Sequence, residues 1–325
     1  MATPTKVNLS EIANYFSGID LFICSASYEE RCLSIPLSLS LQNIRHAFVC
    51  ANDDFVGYLH GNLEKLLKHF GGKSRRIHLL QSNPVFGLDN LKEALSLVRG
   101  SKPLNIVIDA TTFTHEGLLI LVRILAATFD SSGKITVVYT PASEYAIGLS
   151  GKDKWLSRGL REIRSVLGFP GAMMPTRRMH LVVLVGFEAE RARLLIDACE
   201  PDVISLGRGC DSTDATQSHL SINVDTLREL AVHYPAFSEF NFSCVDFEAT
   251  KVALQRQVEK YRGFNTIIAP MNTKLSTVGA AIFALSDPAI QLCYAPALTY
   301  NFPSYSAASD VCLVSELQIP LSSRR

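Results

Sequence analysis

Short apolar runs alternate with amphipathic helical patterns along the first half of the chain. The strand-like runs lie at Asp20–Ser25, His46–Ala51, Arg76–Leu80, Asn105–Ile108 and Lys134–Tyr139. The helical patterns between them cover Leu33–Leu41, Tyr58–Phe70, Gly87–Val98 and Thr114–Thr128. Strands of this length separated by single helices predict βαβ units around a mostly parallel sheet.

The same order of elements restarts at His180. Strand-like runs occur at Leu181–Gly186, Val203–Leu206, Asn265–Pro270 and Ile290–Tyr294. Helical patterns cover Glu188–Cys199, Val224–Val232, Thr250–Tyr261 and Thr277–Leu285. The second half therefore predicts a second α/β unit of the same kind.

Three local matches between the halves occur in the same order and at nearly constant separation. Glu30-Arg31 matches Glu190-Arg191 after the first strand of each half. Ile106–Ile108 with Thr112 matches Ile267–Ala269 with Thr273. Both halves then end in the pattern YxPAxxY, which begins at Tyr139 and at Tyr294. These matches predict an α/β fold of two tandem Rossmann-like units with mostly parallel sheets, related by internal duplication.

The segment between the halves sets the predicted domain boundaries. We place the first unit at residues 1–146, a basic linker at 147–178 and the second unit at 179–325. The linker contains Trp155, and its basic residues are Lys152, Lys154, Arg158, Arg161 and Arg164. Leu160, Ile163 and Leu167 have helical spacing, which favours a solvated helix across the junction. The alternative is a docking surface at 152–171 for a protein partner or a phosphate-rich ligand.

Composition narrows the class of protein without naming a ligand. The chain has 325 residues, 47% of them hydrophobic, and 31 basic residues balance 31 acidic ones. Zero net charge gives no signal for nucleic-acid binding, although a local basic patch stays possible. The absence of a signal peptide and of a long apolar run predicts a cytoplasmic protein with no membrane segment. The eight cysteines lack CxxC spacing and the histidines are scattered, so we expect no disulfide, no metal and no cofactor.

Candidate site residues follow from the place where open parallel sheets bind ligands, beyond the carboxyl ends of the strands. The loop at 25–31 combines hydroxyls, carboxylates and a guanidinium, and Asp109–Gly117 is the richest polar segment. The predicted ligand-binding residues are Ser25, Tyr28, Arg31, Asp109, Thr112, Arg191, Thr273 and Lys274. Structural interpretations stay open beside these, with Glu30 and Arg31 as a scaffold ion pair and Thr114 as a helix N-cap.

The second half differs chemically from the first at the matching loop. Pro270–Thr277 lacks the carboxylates of Asp109–Gly117 and contains Lys274 instead. We therefore predict either one cleft shared by the halves or one active and one degenerate site. Neither half has a GxGxxG or Walker-type loop after its first strand.

Part of the second half resembles CRISPR-associated Rossmann-fold (CARF-like) sensor domains. The resemblance rests on Asn272-Thr273-Lys274 with Ser276 and Gly279–Ala281, before a strand that ends in a tyrosine. Leu181–Gly186 and Pro201–Ile204 are similar to the first two strands of that family. Asp109–Gly117 occupies the matching place but lacks the family's glycine pair and lysine. The resemblance implies a pseudo-dimer of nucleotide-binding units and a cyclic oligonucleotide as ligand.

A second resemblance is to nucleoside deoxyribosyltransferases. It rests on Asp109 followed by Glu116-Gly117, and on Phe22–Ser25 followed by Tyr28. This likeness implies that Glu116 attacks the anomeric carbon of a nucleoside while Asp109 assists.

Three functions remain open from the sequence. The leading expectation is a sensor or subunit of a prokaryotic antiviral defence system, which binds a nucleotide or nucleic-acid ligand and associates with a protein partner. The first alternative is a nucleoside or NAD glycosidase or transferase that uses Glu116. The second is a non-catalytic structural subunit that only binds a protein partner.

Overall fold

The computed structural model describes residues 3–98, 103–129, 133–146, 155–211 and 217–320. The chain divides into two units, each with its own internal contacts. We call residues 2–144 with 306–325 the N-terminal unit, and residues 145–305 the C-terminal unit. Helices and parallel strands alternate in both, which confirms the predicted α/β, Rossmann-like fold class.

The first part of the chain supplies most of the N-terminal unit. Its strands are β1 (Thr5–Asn8), β2 (Ile19–Ser25), β3 (Ile44–Asn52), β4 (Ser74–Leu79), β5 (Asn105–Asp109), β6 (Lys134–Tyr139) and β7 (Ala142–Tyr145). Its helices are α1 (Ile12–Tyr15), α2 (Arg31–Ser38), α3 (Val56–Phe70), α4 (Pro84–Val98) and α5 (His115–Thr128).

The C-terminal unit begins with two strands that precede its first parallel strand. Its strands are β8 (Ser157–Arg158), β9 (Arg164–Pro170), β10 (Met179–Leu184), β11 (Val203–Gly209), β12 (Ser238–Phe242), β13 (Asn265–Pro270), β14 (Gln291–Tyr294) and β15 (Thr299–Tyr300). Its helices are α6 (Ala189–Cys199), α7 (Gln217–His233), α8 (Phe247–Glu259) and α9 (Lys274–Ser286). The chain then returns to the N-terminal unit as β16 (Ser306–Ala308) and β17 (Val311–Glu316).

Both main sheets have the same order of parallel strands. In the N-terminal unit the order is β4-β3-β2-β5-β6, followed by β17 and β1. In the C-terminal unit it is β12-β11-β10-β13-β14, followed by β9. The strand beside the fifth parallel strand, β17 or β9, runs antiparallel to it. Each unit therefore has the doubly wound order 3-2-1-4-5 with an antiparallel sixth strand.

Tyr139 and Tyr294 each end the fifth parallel strand of their sheet. The two YxPAxxY patterns therefore begin at the same topological position, as an internal duplication requires. Duplication as the origin of the two units stays a prediction.

The predicted domain boundaries are wrong at the C-terminus. Residues 306–325 belong with the N-terminal unit, because β17 pairs with β6 from Leu313↔Tyr139 to Glu316↔Thr136 and with β1 on its other side. The N-terminal unit is therefore built from two separate stretches of chain.

The predicted linker helix is also wrong where the structure describes that segment. Arg164–Pro170 is strand β9, and it pairs with β14 through Cys293↔Ser165 and Tyr294↔Arg164. Leu160 and Ile163 pack against the core of the C-terminal unit instead of forming a helical stripe. The described part of the predicted linker, from residue 155 onward, thus belongs to the C-terminal unit. Residues 147–154 of the predicted linker lie outside the described residues.

Apolar packing on the sheets holds each unit together. β2 is buried along nearly its whole length, and α5 buries eight residues. In α9, small residues allow a close approach to α8, since a Cβ at Gly279 would lie 2.7 Å from the Phe247 carbonyl oxygen. Within the described residues, none of the helices combines the length and apolar character needed to span a bilayer.

We expect Val314→Ala to destabilise the N-terminal unit. Val314 is buried in the core that also contains Val138 and Val107, and loss of two methyl groups with a residual cavity costs about 2 kcal/mol. Hydrogen exchange should accelerate in β5 and β6, while urea unfolding should give the change in free energy.

Val232→Ala is the matched control, because Val232 on α7 is 80% exposed. Equal stability losses in the two variants, or faster exchange in the C-terminal sheet alone, would contradict the assignment of β17.

Candidate functional site

A cavity of about 440 Å³ lies in the C-terminal unit where β10 leads into α6. Its lining combines aromatic, acidic and guanidinium side chains. The lining residues are Tyr145, Ala146, Trp155, Leu156, Ser157, Arg158, Gly159, Phe187, Glu188, Ala189, Glu190, Arg191, Ile222 and Glu229. The cavity is thus at the carboxyl end of the first parallel strand, where α/β sheets bind ligands.

A nearly buried ion pair forms one wall of this cavity. Arg191 Nη2 lies 2.6 Å from Glu188 Oε2, and Ser157 Oγ donates a hydrogen bond to the same carboxylate group. Burial disfavours the charged guanidinium, but Glu188, with the nearby Tyr300 and Tyr294, keeps the pKa of Arg191 above its ordinary value. Arg191 Nε is buried and has no hydrogen-bond partner. The site therefore holds a fixed cation whose charge is compensated by Glu188.

Aromatic rings form a second wall. The Tyr145 ring centroid lies 5.4 Å from that of Phe187 and 4.9 Å from that of His219. Trp155, the sole tryptophan of the chain, carries the Arg158 guanidinium 4.6 Å above its ring centroid. These faces offer a planar ring the offset or edge contacts that aromatic groups favour.

The loop before α6 is fixed by backbone contacts that only a few residue types allow. A Cβ at Gly186 would lie 2.0 Å from the Met271 carbonyl oxygen, so glycine is required there. Asn223 Nδ2 and Asn272 Nδ2 each donate to the Val185 carbonyl oxygen at 2.6 Å. This network places Phe187 and Glu188 at the cavity.

Of the residues predicted in the second half, only Arg191 lines the cavity. Thr273 is the N-cap of α9, accepting from Ser276 N at 3.2 Å and donating to the Cys244 carbonyl oxygen at 2.7 Å. Lys274 is the first residue of α9. Neither residue belongs to the cavity lining, so Thr273 has a structural role at this edge.

The N-terminal unit has a related ion pair that is closed to solvent. Arg31 is 4% exposed, and its Nη2 lies 2.6 Å from Glu29 Oε2. Arg31 Nε also donates to Ser306 Oγ at 2.8 Å, and Nη1 donates to the Thr140 carbonyl oxygen at 3.0 Å. The predicted pair of Glu30 with Arg31 is wrong, because Glu29, in the loop before α2, is the partner of Arg31.

The other predicted residues of the first half hold the strand ends together. Thr112 Oγ1 donates to the Ser25 carbonyl oxygen at 2.7 Å, and Asp109 Oδ1 accepts from Thr111 N at 3.0 Å. Tyr28 lies partly buried just before α2. Ser25, Thr112 and Asp109 therefore meet at one sheet edge through contacts that stabilise the fold.

Glu116 lies in the first turn of α5 and is almost wholly buried. Thr114 caps this helix by accepting from Gly117 N at 3.0 Å, so its interpretation as an N-cap is confirmed. Glu116 lines a cavity of only about 40 Å³, which is room for one water molecule but not for a sugar ring. The prediction of one cleft shared by both units stays a prediction.

Five residues that shape the C-terminal cavity were missing from the predicted ligand-binding set. They are Tyr145, Trp155, Ser157, Phe187 and Glu188. Phe187 and Glu188 directly follow the second copy's first strand, a signal that could have identified them. Ser157 carried no such signal, because its segment was interpreted as a linker.

Cysteine, histidine and acidic side chains are the groups that could form disulfides or bind metal ions. All eight cysteines are free thiols. Within the described ranges, no group of three or more His, Cys, Asp or Glu side chains could hold a metal ion.

Comparisons with known proteins give no family and no function. No protein-family model and no curated protein matches the chain. Among solved structures, it is similar to a periplasmic ribose ABC transporter of Conexibacter woesei DSM 14684, with 11% identity, TM-score 0.24 and coverage of 82% of this chain and 69% of that one. It is also similar to phosphoethanolamine N-methyltransferase 1 of Haemonchus contortus, with 7% identity, TM-score 0.26 and coverage of 80% and 72%. Likeness at this level carries no argument about activity.

We expect Asp109→Asn to flatten the dependence of stability on pH. Burial raises the pKa of Asp109 from 3.8 to about 7, although Thr111 and Arg31 oppose the shift. Between these values the folded protein binds a proton that the unfolded chain releases, so wild-type stability falls as pH rises from about 4 to about 7. The full effect is about 4 kcal/mol at 1.36 kcal/mol per pKa unit.

Thermal unfolding between pH 4 and 8 measures this effect as the difference between variant and wild type. Burial lowers the pKa of His180 to about 4, which acts with the opposite sign below pH 6.5 but cancels in that difference. The exposed Asp89→Asn is the control. A pH profile unchanged by Asp109→Asn would show that Asp109 is ionised in the fold.

Proposed function

We propose that the C-terminal unit binds a nucleotide-like ligand in its cavity and that the protein acts as a sensor of that ligand. One observation carries the proposal: aromatic rings, carboxylates and guanidinium groups line a single cavity. Phe187, Tyr145 and Trp155 would contact a planar base, and carboxylates would accept hydrogen bonds from sugar hydroxyls.

The volume of the cavity supports the same class of ligand. Small-molecule sites commonly have volumes of about 300–1,000 Å³, and this cavity has a volume of about 440 Å³. A nucleoside or mononucleotide is a ligand of that size class. The location at the carboxyl end of β10 agrees with the general rule for doubly wound sheets.

The wider role that we propose is a subunit of a prokaryotic antiviral defence system. Its support is the similarity of the second half to CRISPR-associated sensor domains, and a sensor of this kind would pass its signal to a protein partner. Residues 152–171 stay our proposed partner segment, with those from 155 onward forming part of the C-terminal unit. If no ligand binds while a change near Trp155 abolishes partner association, the purely structural alternative is correct.

The glycosidase alternative places the chemistry at Glu116. The small cavity beside Glu116 gives it less support than ligand binding has. We therefore expect Glu116→Gln to leave nucleoside affinity within about twofold of wild type, since the residue lies in the other unit. Nucleoside hydrolysis by the wild type that disappears in Glu116→Gln would establish the alternative.

We expect Phe187→Ala to weaken ligand binding by about 1–3 kcal/mol, or about 5- to 150-fold in Kd, because one stacking face is lost. Titration of the single Trp155 fluorescence with each of the four ribonucleosides measures the affinity, and calorimetry checks it independently. Phe86→Ala, at a 42% exposed position on α4, is the matched control.

Two results would contradict the proposal. The first is that none of the ribonucleosides or ribonucleotides alters Trp155 fluorescence or gives heat on mixing. The second is that Phe187→Ala and Phe86→Ala bind with the same affinity as the wild type.

A further inference from the structure

Carboxylates outnumber guanidinium groups around the C-terminal cavity. Three carboxylates line it, at Glu188, Glu190 and Glu229, against the guanidiniums of Arg158 and Arg191. Arg191 is paired with Glu188 at 2.6 Å, and Arg158 lies over the Trp155 ring. No lysine is found in the described lining.

The two remaining carboxylates face water at the rim. Glu190 in α6 and Glu229 in α7 are exposed, and neither forms an ion pair with a described residue. A multiply charged phosphate chain that entered here would meet this excess negative charge. In return it would meet only the one exposed guanidinium of Arg158, against two exposed carboxylates.

We infer that this cavity selects an uncharged nucleoside-like ligand, with a planar ring and free sugar hydroxyls, and excludes the corresponding triphosphate. The inference rests on the proposed function and adds its ligand class. Rim carboxylates accept hydrogen bonds from neutral hydroxyls but repel phosphate oxygens. By the same argument, a cyclic oligonucleotide with two or more phosphates does not fit the site.

This inference is tested by comparing the binding of a nucleoside with the binding of its phosphorylated forms. Trp155 fluorescence is titrated with each of the four ribonucleosides, its monophosphate and its triphosphate at 0.15 M salt. For the base that binds, we expect the nucleoside to bind at least tenfold more tightly than the triphosphate. The ratio should fall as salt is raised, because screening weakens repulsion by the rim carboxylates.

Charge reversal identifies the cause of the exclusion. Glu190→Lys should lower the preference for the nucleoside over the triphosphate at least threefold, because it replaces a repelling charge with an attracting one. Glu259→Lys makes the same charge change at an exposed position of α8 outside the lining and should leave the ratio unaltered.

The outcomes separate this inference from the proposed function. Nucleoside binding with equal or tighter triphosphate binding would overturn the selection but keep the ligand site. A ratio that Glu190→Lys leaves unchanged would overturn the role of the rim charges. Failure of all the compounds to bind would overturn both the inference and the proposed function.

Discussion

A buried guanidinium at the end of the first parallel strand constrains the local structure of both units. Arg31 and Arg191 each lie in the first turn of the helix that follows this strand, mostly shielded from water. A buried charge is tolerated only where a counter-charge and hydrogen bonds compensate for lost hydration, and removing one partner typically costs about 3–5 kcal/mol. The carboxylates of Glu29 and Glu188 meet that requirement, and a serine hydroxyl contacts each carboxylate.

Each of those serines follows the last parallel strand of one sheet in the sequence but belongs to the other unit. Ser157 follows the fifth strand of the N-terminal sheet in sequence, yet it contacts Glu188 of the C-terminal unit. Ser306 follows the fifth strand of the C-terminal sheet, yet it contacts Glu29 of the N-terminal unit. The antiparallel strands β9 and β17 follow the same rule. The two halves of the chain therefore exchange their sixth strands, and each exchanged segment also completes the ion pair of its new unit.

The sequence predicted the central strands of both sheets but missed two edge strands. The central parallel strands were predictable because burial on both faces leaves continuous apolar runs such as Leu181–Gly186. β12 was not, because it is an edge strand of mixed polarity, and β9 was not, because Leu160, Ile163 and Leu167 imitate a helix. A local hydrophobic pattern contains no information about which sheet a distant edge strand will join.

Local sequence patterns were also insufficient to predict the residues around the two ion pairs and the C-terminal cavity. The recurrence of Glu30-Arg31 as Glu190-Arg191 drew attention to both arginines, but it did not predict that they are buried. It did not identify their partners, Glu29 and Glu188, because side-chain direction at a helix start depends on backbone geometry that a pairwise match does not encode. The cavity-lining Ser157 and Trp155 come from the exchanged segment, which sequence order assigned to a linker.

The two ion pairs also differ in how completely their hydrogen-bonding groups are satisfied. Arg31 Nε donates to both Glu29 and Ser306, and the cavity of about 40 Å³ described nearby in that unit is largely apolar. Arg191 Nε has no partner, and the cavity of about 440 Å³ adjoins it. A buried donor without a partner costs about 1–3 kcal/mol. The C-terminal unit thus combines volume with unsatisfied polarity, whereas the matching pair in the N-terminal unit is satisfied within the fold.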